Sequence, residues 1–186
     1  MESEMTSLDI QLFPYVSLTT TKEQIPVQIE PAASAQLDTV HTDPKWQTDW
    51  SSEYLVDPTI DKFAVTTEDG EMIALGAYQV QDRKTHVIII YAESAPHSNP
   101  TMHLLEDRKY YGIGQLLIAF GIKYSIDNGC LGVVVFEAKT DELASHYERD
   151  FHAIRIPSLG EGLKRYMLAD EPAWKMLSNY LKEVSE

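Results

Sequence analysis

One cysteine, Cys130, stands among 186 residues, so no disulfide can close within the chain and no cysteine-rich metal site can assemble. A lone thiol beside Gly129 at the start of an apolar run reads as inert packing, and a reducing, cytoplasmic setting is the expectation that goes with it. Long apolar stretches are also missing. The longest, at 86–92 and 131–136, fall far short of the roughly 20 residues a spanning helix needs, so no membrane partner is expected. The first residues, Met-Glu-Ser-Glu-Met-Thr, carry acid where a secretory signal carries Lys or Arg, and export is not expected either. Six histidines are scattered without His-x3-His or His-Glu-x2-His spacing, which argues against a metal site.

Cations are scarce too. The chain has 15 Lys+Arg against 29 Asp+Glu, a formal charge of −14, and residues 1–100 hold 16 of the acids against 5 of the bases. A field of that sign repels nucleic acid and favours a cationic small molecule or a basic protein surface; a merely solubilising surface is the plainer reading of the same count. What is present is ordinary for a globular chain: 44% hydrophobic and 24% charged residues, at a length that suits one domain with one core.

Along the chain, residues 8–18 and 24–29 read as strands, and Pro31 followed by Ala-Ala-Ser-Ala-Gln-Leu reads as a helix start. Residues 44–55 suit a second short helix, since Trp46, Trp50 and Tyr54 fall at i, i+4 and i+8 on one stripe. That stripe is expected in the core, with an aromatic wall for a ligand as the alternative. Residues 63–67 and 71–81 around Glu68-Asp69-Gly70 read as a hairpin. The run at 85–91, apolar on both faces, suits a central covered strand. A helix is expected at 114–127, stopped by Asn128-Gly129, then a buried strand at 131–138 and a helix capped by the Thr140 hydroxyl. Residues 151–156 and 163–169 suggest a closing hairpin, and 172–184 a last helix. From Lys62 the order strand, strand, strand, helix, strand, helix, strand, strand is mixed α/β, with a parallel crossover in the middle.

Between the central strand and the long helix lies Arg108-Lys109-Tyr110-Tyr111-Gly112-Ile113-Gly114-Gln115. Two glycines one residue apart let the backbone turn tightly and leave its amides open, and the helix N-terminus adds partial positive charge. Together they make an anion cradle suited to a pyrophosphate, with Arg108 and Lys109 adding full charges. The stretch is neither a Walker loop nor a complete dinucleotide fingerprint.

Here the sequence resembles the GNAT superfamily of acyl-CoA-dependent N-acyltransferases, whose signature Gln/Arg-x-x-Gly-x-Gly/Ala is approached by Lys109-Tyr110-Tyr111-Gly112-Ile113-Gly114. The resemblance continues into the strand before Ala138 and the helix containing His146-Tyr147-Glu148-Arg149, and covers roughly residues 60–170. It departs at Lys109, at Thr140 where many members have Asn, and at Phe151-His152 where many have Gly-Phe. It also departs in the long segment that begins Glu93-Ser94-Ala95-Pro96-His97-Ser98-Asn99-Pro100.

The resemblance implies one domain over 1–186, with a mostly antiparallel sheet flanked by helices: a variable acceptor-side part at 1–59, a core at 60–170 and a C-terminal helix at 171–186. It implies acetyl-CoA as co-substrate without a metal, and transfer to a primary amine of a small molecule or protein lysine. CoA would be held by Arg108, Lys109, Tyr110, Tyr111, Gly112, Ile113, Gly114, Gln115 and Thr140. Glu93 is the implied general base, directly or through water, and Tyr147 the group that protonates the leaving sulfur. His97 shares the loop with Glu93 and is the histidine best placed to relay a proton. A homodimer is compatible with this reading. Two rivals use the same residues: a CoA-binding module that has lost transfer, and an acidic interaction protein with no CoA affinity.

Overall fold

The computed structural model describes residues 10–42, 44–158 and 162–183. In chain order the strands are β1 (Tyr15–Leu18), β2 (Gln24–Pro31), β3 (Ile60–Thr67), β4 (Met72–Val80), β5 (Val87–Ser94), β6 (Tyr110–Tyr111), β7 (Val134–Ala138), β8 (Ile154–Ile156) and β9 (Lys164–Leu168). The helices are α1 (Ser34–Thr39), α2 (Ile113–Asp127), α3 (Asp141–Arg149) and α4 (Asp170–Ser178). Among the described residues the strands form one sheet in the order β6-β1-β2-β3-β4-β5-β7-β9-β8, with every neighbouring pair antiparallel except β5 and β7. The expected mixed class, the crossover β5-α2-β7 and the closing hairpin β8-β9 are all present.

Helix α2 positions the rest. Its residues Ile113, Leu116, Leu117 and Ile122 are buried, because one side lies on the sheet at β5 and another meets α4. The approach to the sheet is close: a Cβ added at Gly121 would come within 3.1 Å of Ile89 and Tyr78, so glycine sets the spacing there. The fully buried Tyr78 hydroxyl donates to the Leu117 carbonyl at 2.7 Å, and burial holds this phenol far above its ordinary value. On the opposite face a second core gathers Val40, Trp46, Trp50, Leu55, Leu75 and Ala77 beneath the segment that joins α1 to β3.

One irregularity opens the sheet. In the β4-β5 ladder Tyr78 faces Ile89 while Ala77 faces Tyr91, which leaves Ile90 as an extra residue, and such a bulge bends its strand and sharpens the local twist. Strands β5 and β7 pair only at Val87↔Val134 and Ile88↔Val135; beyond those positions their edges part.

Several boundaries differ from the sequence reading. Residues 44–52 hold no helix, and only the short 3-10 turn Glu53–Val56 follows. The reason lies in where the polar groups go. Asp49 turns the chain by accepting from the Ser51 amide and hydroxyl at 3.1 and 2.8 Å, and the amides of Gln47 and Thr48 donate to a distant side chain rather than to helical carbonyls. Pro31 ends β2 instead of opening a helix, and α1 begins at Ser34. Tyr110 and Tyr111, read as loop, pair with Leu18 and Ser17 of β1. Helix α4 starts ahead of Pro172 and stops at Ser178. The first strand begins only at Tyr15; positions 8 and 9, 159–161 of the last hairpin loop and 184 lie outside the described residues.

Candidate active site

Where β5 and β7 part, a cavity of about 440 Å³ passes between them. Side-chain alternation divides its walls between the two faces of the sheet. Ile89, Phe136 and Tyr147 belong to the core on the α2 face, whereas Ile90, Tyr91 and Glu93 point to the face covered by Trp46 and Trp50.

The α2 face carries the glycine cradle. Gly112 caps α2 with φ 85°, a left-handed conformation that side chains resist. The first backbone bond of the helix runs from the Leu116 amide to the Gly112 carbonyl at 3.1 Å. Among the described residues the amides of Gly112, Ile113, Gly114 and Gln115 have no partner. A Cβ built on Gly112 or Gly114 meets nothing within 4 Å. Unpartnered donors, the positive end of a 15-residue helix and open space above two glycines are what an oxyanion group needs.

Of the residues expected to hold CoA, Arg108, Tyr110, Tyr111, Gly112, Ile113 and Gly114 line the cavity. Tyr110 is anchored by its own amide, which donates to Ser98 Oγ at 3.0 Å. Arg108 is steadied by its Nε, which donates to the His103 carbonyl at 3.2 Å. Three others stand elsewhere. The Lys109 ammonium pairs with Glu71 at 2.8 Å, Gln115 keeps only its amide at the cradle, and Thr140 caps α3 by accepting from the Leu143 amide at 3.1 Å.

Tyr147 reaches the cavity from α3, held edge-on to Phe136 at 4.9 Å and stacked on Phe151 at 5.8 Å. Burial pushes its phenol up, so it stays protonated through neutral pH. Cys130, 1% exposed, is packed in the core, and burial raises its thiol as well.

Glu93 stands on the other wall, 4% exposed, at the end of β5 as expected. Its Oε2 accepts from the Gln47 amide at 2.6 Å, and its Oε1 from the Thr48 amide at 3.0 Å and from Trp50 Nε1 at 3.1 Å. Trp46 and Trp50 are buried, as expected of the aromatic stripe, while the 60%-exposed Tyr54 lines the cavity. His97 does not join Glu93: its Nε2 contacts Glu71 at 2.8 Å and its Nδ1 Ser98 Oγ at 2.6 Å. Loop 96–101 turns away from the strand, and its backbone holds β6, with the Lys109 amide donating to the His97 carbonyl at 2.9 Å.

The sequence reading missed Gln47, Lys139 and Arg165 in the cavity lining. Alternation offered a signal for the latter two, because Glu137 and Lys139 punctuate an apolar strand on one face, and Arg165 lies opposite Glu137 in register, paired at 3.2 Å. Nothing local marked Gln47. Of the 16 acids in residues 1–100, Glu93 alone is among the described residues that line the cavity.

No protein-family profile matches the chain, and no curated protein matches it in sequence. Solved structures do match it. The spermidine N-acetyltransferase of Vibrio cholerae, in complex with CoA and spermine, is 13% identical; the match covers 80% of this chain and 98% of that one, with a TM-score of 0.56. The spermidine/spermine N-acetyltransferase SpeG of Vibrio cholerae, with manganese ions, is 13% identical over 82% of this chain and 96% of that one, at a TM-score of 0.53. A dodecameric form of the same organism's enzyme gives 13%, 77%, 93% and 0.55. A split sheet with one parallel crossover, a glycine cradle at the head of the crossover helix and these structural likenesses together establish that this chain has the GNAT fold.

Proposed function

We propose that the protein is an acyl-CoA-dependent N-acetyltransferase, moving an acetyl group from acetyl-CoA to a primary amine of a small cationic molecule. One observation carries the reading: four consecutive amides at the head of α2 lack partners, the space around Gly112 and Gly114 is open, and both glycines line a cavity that crosses the sheet. The likeness to spermidine N-acetyltransferases, one solved with CoA and spermine, supports both the co-substrate and the kind of acceptor.

In this reading the amides of residues 112–115 take pyrophosphate oxygens, with the Arg108 guanidinium adding charge beside them. The edge that β5 turns toward the split offers main-chain groups to an extended amide-bearing arm. Acetyl-CoA supplies an acyl carbon activated as a thioester. The deprotonated amine attacks from the face that carries Tyr91 and Glu93; its bond to the acyl carbon forms as the bond to sulfur breaks. Tyr147, kept neutral by burial, gives its proton to the departing sulfur and regains one from solvent. The proton lost by the amine passes to water in the cavity. Self-association belongs to the same proposal, since one of the similar enzymes is dodecameric, and light scattering on the purified chain reads it.

Calorimetry with acetyl-CoA, joined to a thiol-release assay over spermidine, spermine and an N-blocked lysine peptide, tests the proposal. Binding together with thiol release on at least one amine is expected. Binding without release across the panel would leave a CoA-binding module, and no binding would remove the reading altogether.

A further inference from the structure

The carboxylate of Glu93 sits at the centre of a set of bonds that all reach into one stretch of chain. Ionised, it can accept at about four lone-pair positions. Three donors already occupy it, and all three come from residues 47–50. Because that segment is not helical, its amides have no carbonyl partners of their own; Glu93 supplies them from 43 to 46 residues away. The fully buried Trp50 ring fixes the same segment to the second core, edge-on to Tyr91 at 6.4 Å.

The segment in turn carries part of the cavity wall. Gln47 lines the cavity, and its Oε1 accepts from Thr101 Oγ1 at 2.8 Å and from Asn99 Nδ2 at 3.4 Å. Asn99 is 3% exposed, and its Oδ1 accepts from the Thr101 amide at 2.9 Å. Tyr54 follows a few residues later on the same strap. One buried carboxylate therefore fixes the strap, and the strap clasps loop 96–101, whose His97 carbonyl and Ser98 hydroxyl accept from the Lys109 and Tyr110 amides just ahead of the cradle.

We infer that Glu93 is a positioning residue: it pins residues 47–50 against β5 and so builds the wall that the amine acceptor meets, rather than taking the acceptor's proton. The inference rests on the transferase reading for its kinetic test and on geometry alone for its structural one. A proton-accepting role would need a lone pair turned to the substrate or to a bound water. Three of its roughly four acceptor positions are instead taken by the strap, which holds both oxygens toward residues 47–50.

Two substitutions separate the roles. Glu93→Gln turns an NH2 group toward at least one donor N–H, so the strap loses a bond and gains a repulsion. Trp50→Phe deletes one donor and leaves the carboxylate in place; were Glu93 the proton acceptor, losing a bond to its ionised form would move the acid limb of kcat to higher pH. For both variants the Michaelis constant of the fastest amine in the panel should rise about tenfold or more, with kcat within about threefold of the parent. The acid limb of the kcat-pH profile should keep its midpoint, and calorimetric CoA affinity should stay within about twofold. Amide hydrogen exchange at Gln47 and Thr48 should accelerate in Glu93→Gln.

A drop in kcat of about a hundredfold in Glu93→Gln alone, with the acid limb lost and exchange unmoved, would overturn the inference and return Glu93 to the role of base. If the parent acetylates no amine, the transferase reading fails by itself and exchange decides the strap: slow, unchanged exchange at Gln47 and Thr48 in Glu93→Gln would overturn it.

Discussion

The two walls of the cavity are built on opposite terms. At the head of α2 the four consecutive amides of residues 112–115 lack partners, and a Cβ built on Gly112 or Gly114 meets nothing within 4 Å. Across the split, Glu93 and the strap at 47–50 leave almost nothing unpaired, and their partners lie more than forty residues apart. Gly112 and Gly114 are exposed, so their amides stay open to solvent or to a ligand, and in the proposed reading CoA completes their bonding; Glu93 is buried and satisfied, as a frame that shapes the space requires. The contrast also assigns different failures to each side. On the proposed reading, damage to the cradle should remove CoA binding, and damage to the frame should misplace what binds.

The cradle allows the sharpest test, because its two glycines differ in backbone. Gly112 sits at φ 85°, where an L side chain costs about 1–2 kcal/mol and a β-branched one more. Gly112→Val should therefore abolish measurable CoA binding in calorimetry and lower the melting temperature by several degrees. Gly114 lies inside α2 without a positive φ, and alanine there gains up to about 0.5–1 kcal/mol of helix stability. Its new methyl would stand in the open space above the helix end. Gly114→Ala should consequently raise the melting temperature slightly while weakening CoA about tenfold, or ~1.4 kcal/mol. A stabilised variant with undiminished CoA affinity would show that the space above Gly114 is not where phosphate sits.

The same contrast explains what could be read from the sequence. Cradle, α2 and the hairpin β3-β4 are local: turn chemistry at Asp69-Gly70, the spacing of Leu116, Leu117 and Phe120 and the paired glycines all fall within short windows. The strap was not local. Trp46, Trp50 and Tyr54 carry a helical period, yet the amides that a helix would use internally are bound to Glu93, and tertiary bonding overrode the pattern. Lys109 shows a milder version of the same effect. Its charge sits beside the cradle in sequence, but Glu71 of the neighbouring hairpin draws it aside. His97 is likewise close to Glu93 along the chain and bound elsewhere in space.

That diversion gives a third, smaller test, on the bracket behind the cradle. Burial holds His97 below its ordinary value near 6.5, although Glu71 beside it pulls the other way. Burial disfavours ionised Glu71, but the Lys109 ammonium and His97 outweigh it and hold the carboxyl below its ordinary 4.5. Both groups take up protons more readily in the unfolded chain, so both contributions are complete above those ordinary values and are lost as pH falls through the folded ones. Stability should begin to fall below about pH 6.5 through His97, and fall further below about 4.5 through Glu71. With side chains 35% exposed, each contribution is screened and stays under about 1 kcal/mol. Denaturation midpoints at pH 7.5, 5.5 and 4 should show His97→Gln flattening the first step and Glu71→Gln the second. An unchanged profile in both variants would mean that the bracket does not couple to folding.

The smallest effect concerns charge at a distance. Glu93 is committed to the strap, and the other acids of residues 1–100 stand off the described cavity lining, so the acidic half acts on an amine through its field rather than by contact. Fields between exposed charges decay over about 8 Å at 0.15 M salt, and what survives acts chiefly on the rate of encounter. Raising salt from 50 to 500 mM should therefore raise the Michaelis constant for spermidine only about two- to threefold, with kcat unchanged. A hundredfold rise would require acids that touch the amine directly, and the frame side of the cavity would then have to be read as a second binding wall. A constant that ignores salt would reduce the acidic half to solubility and leave the shape set by the strap to choose the amine.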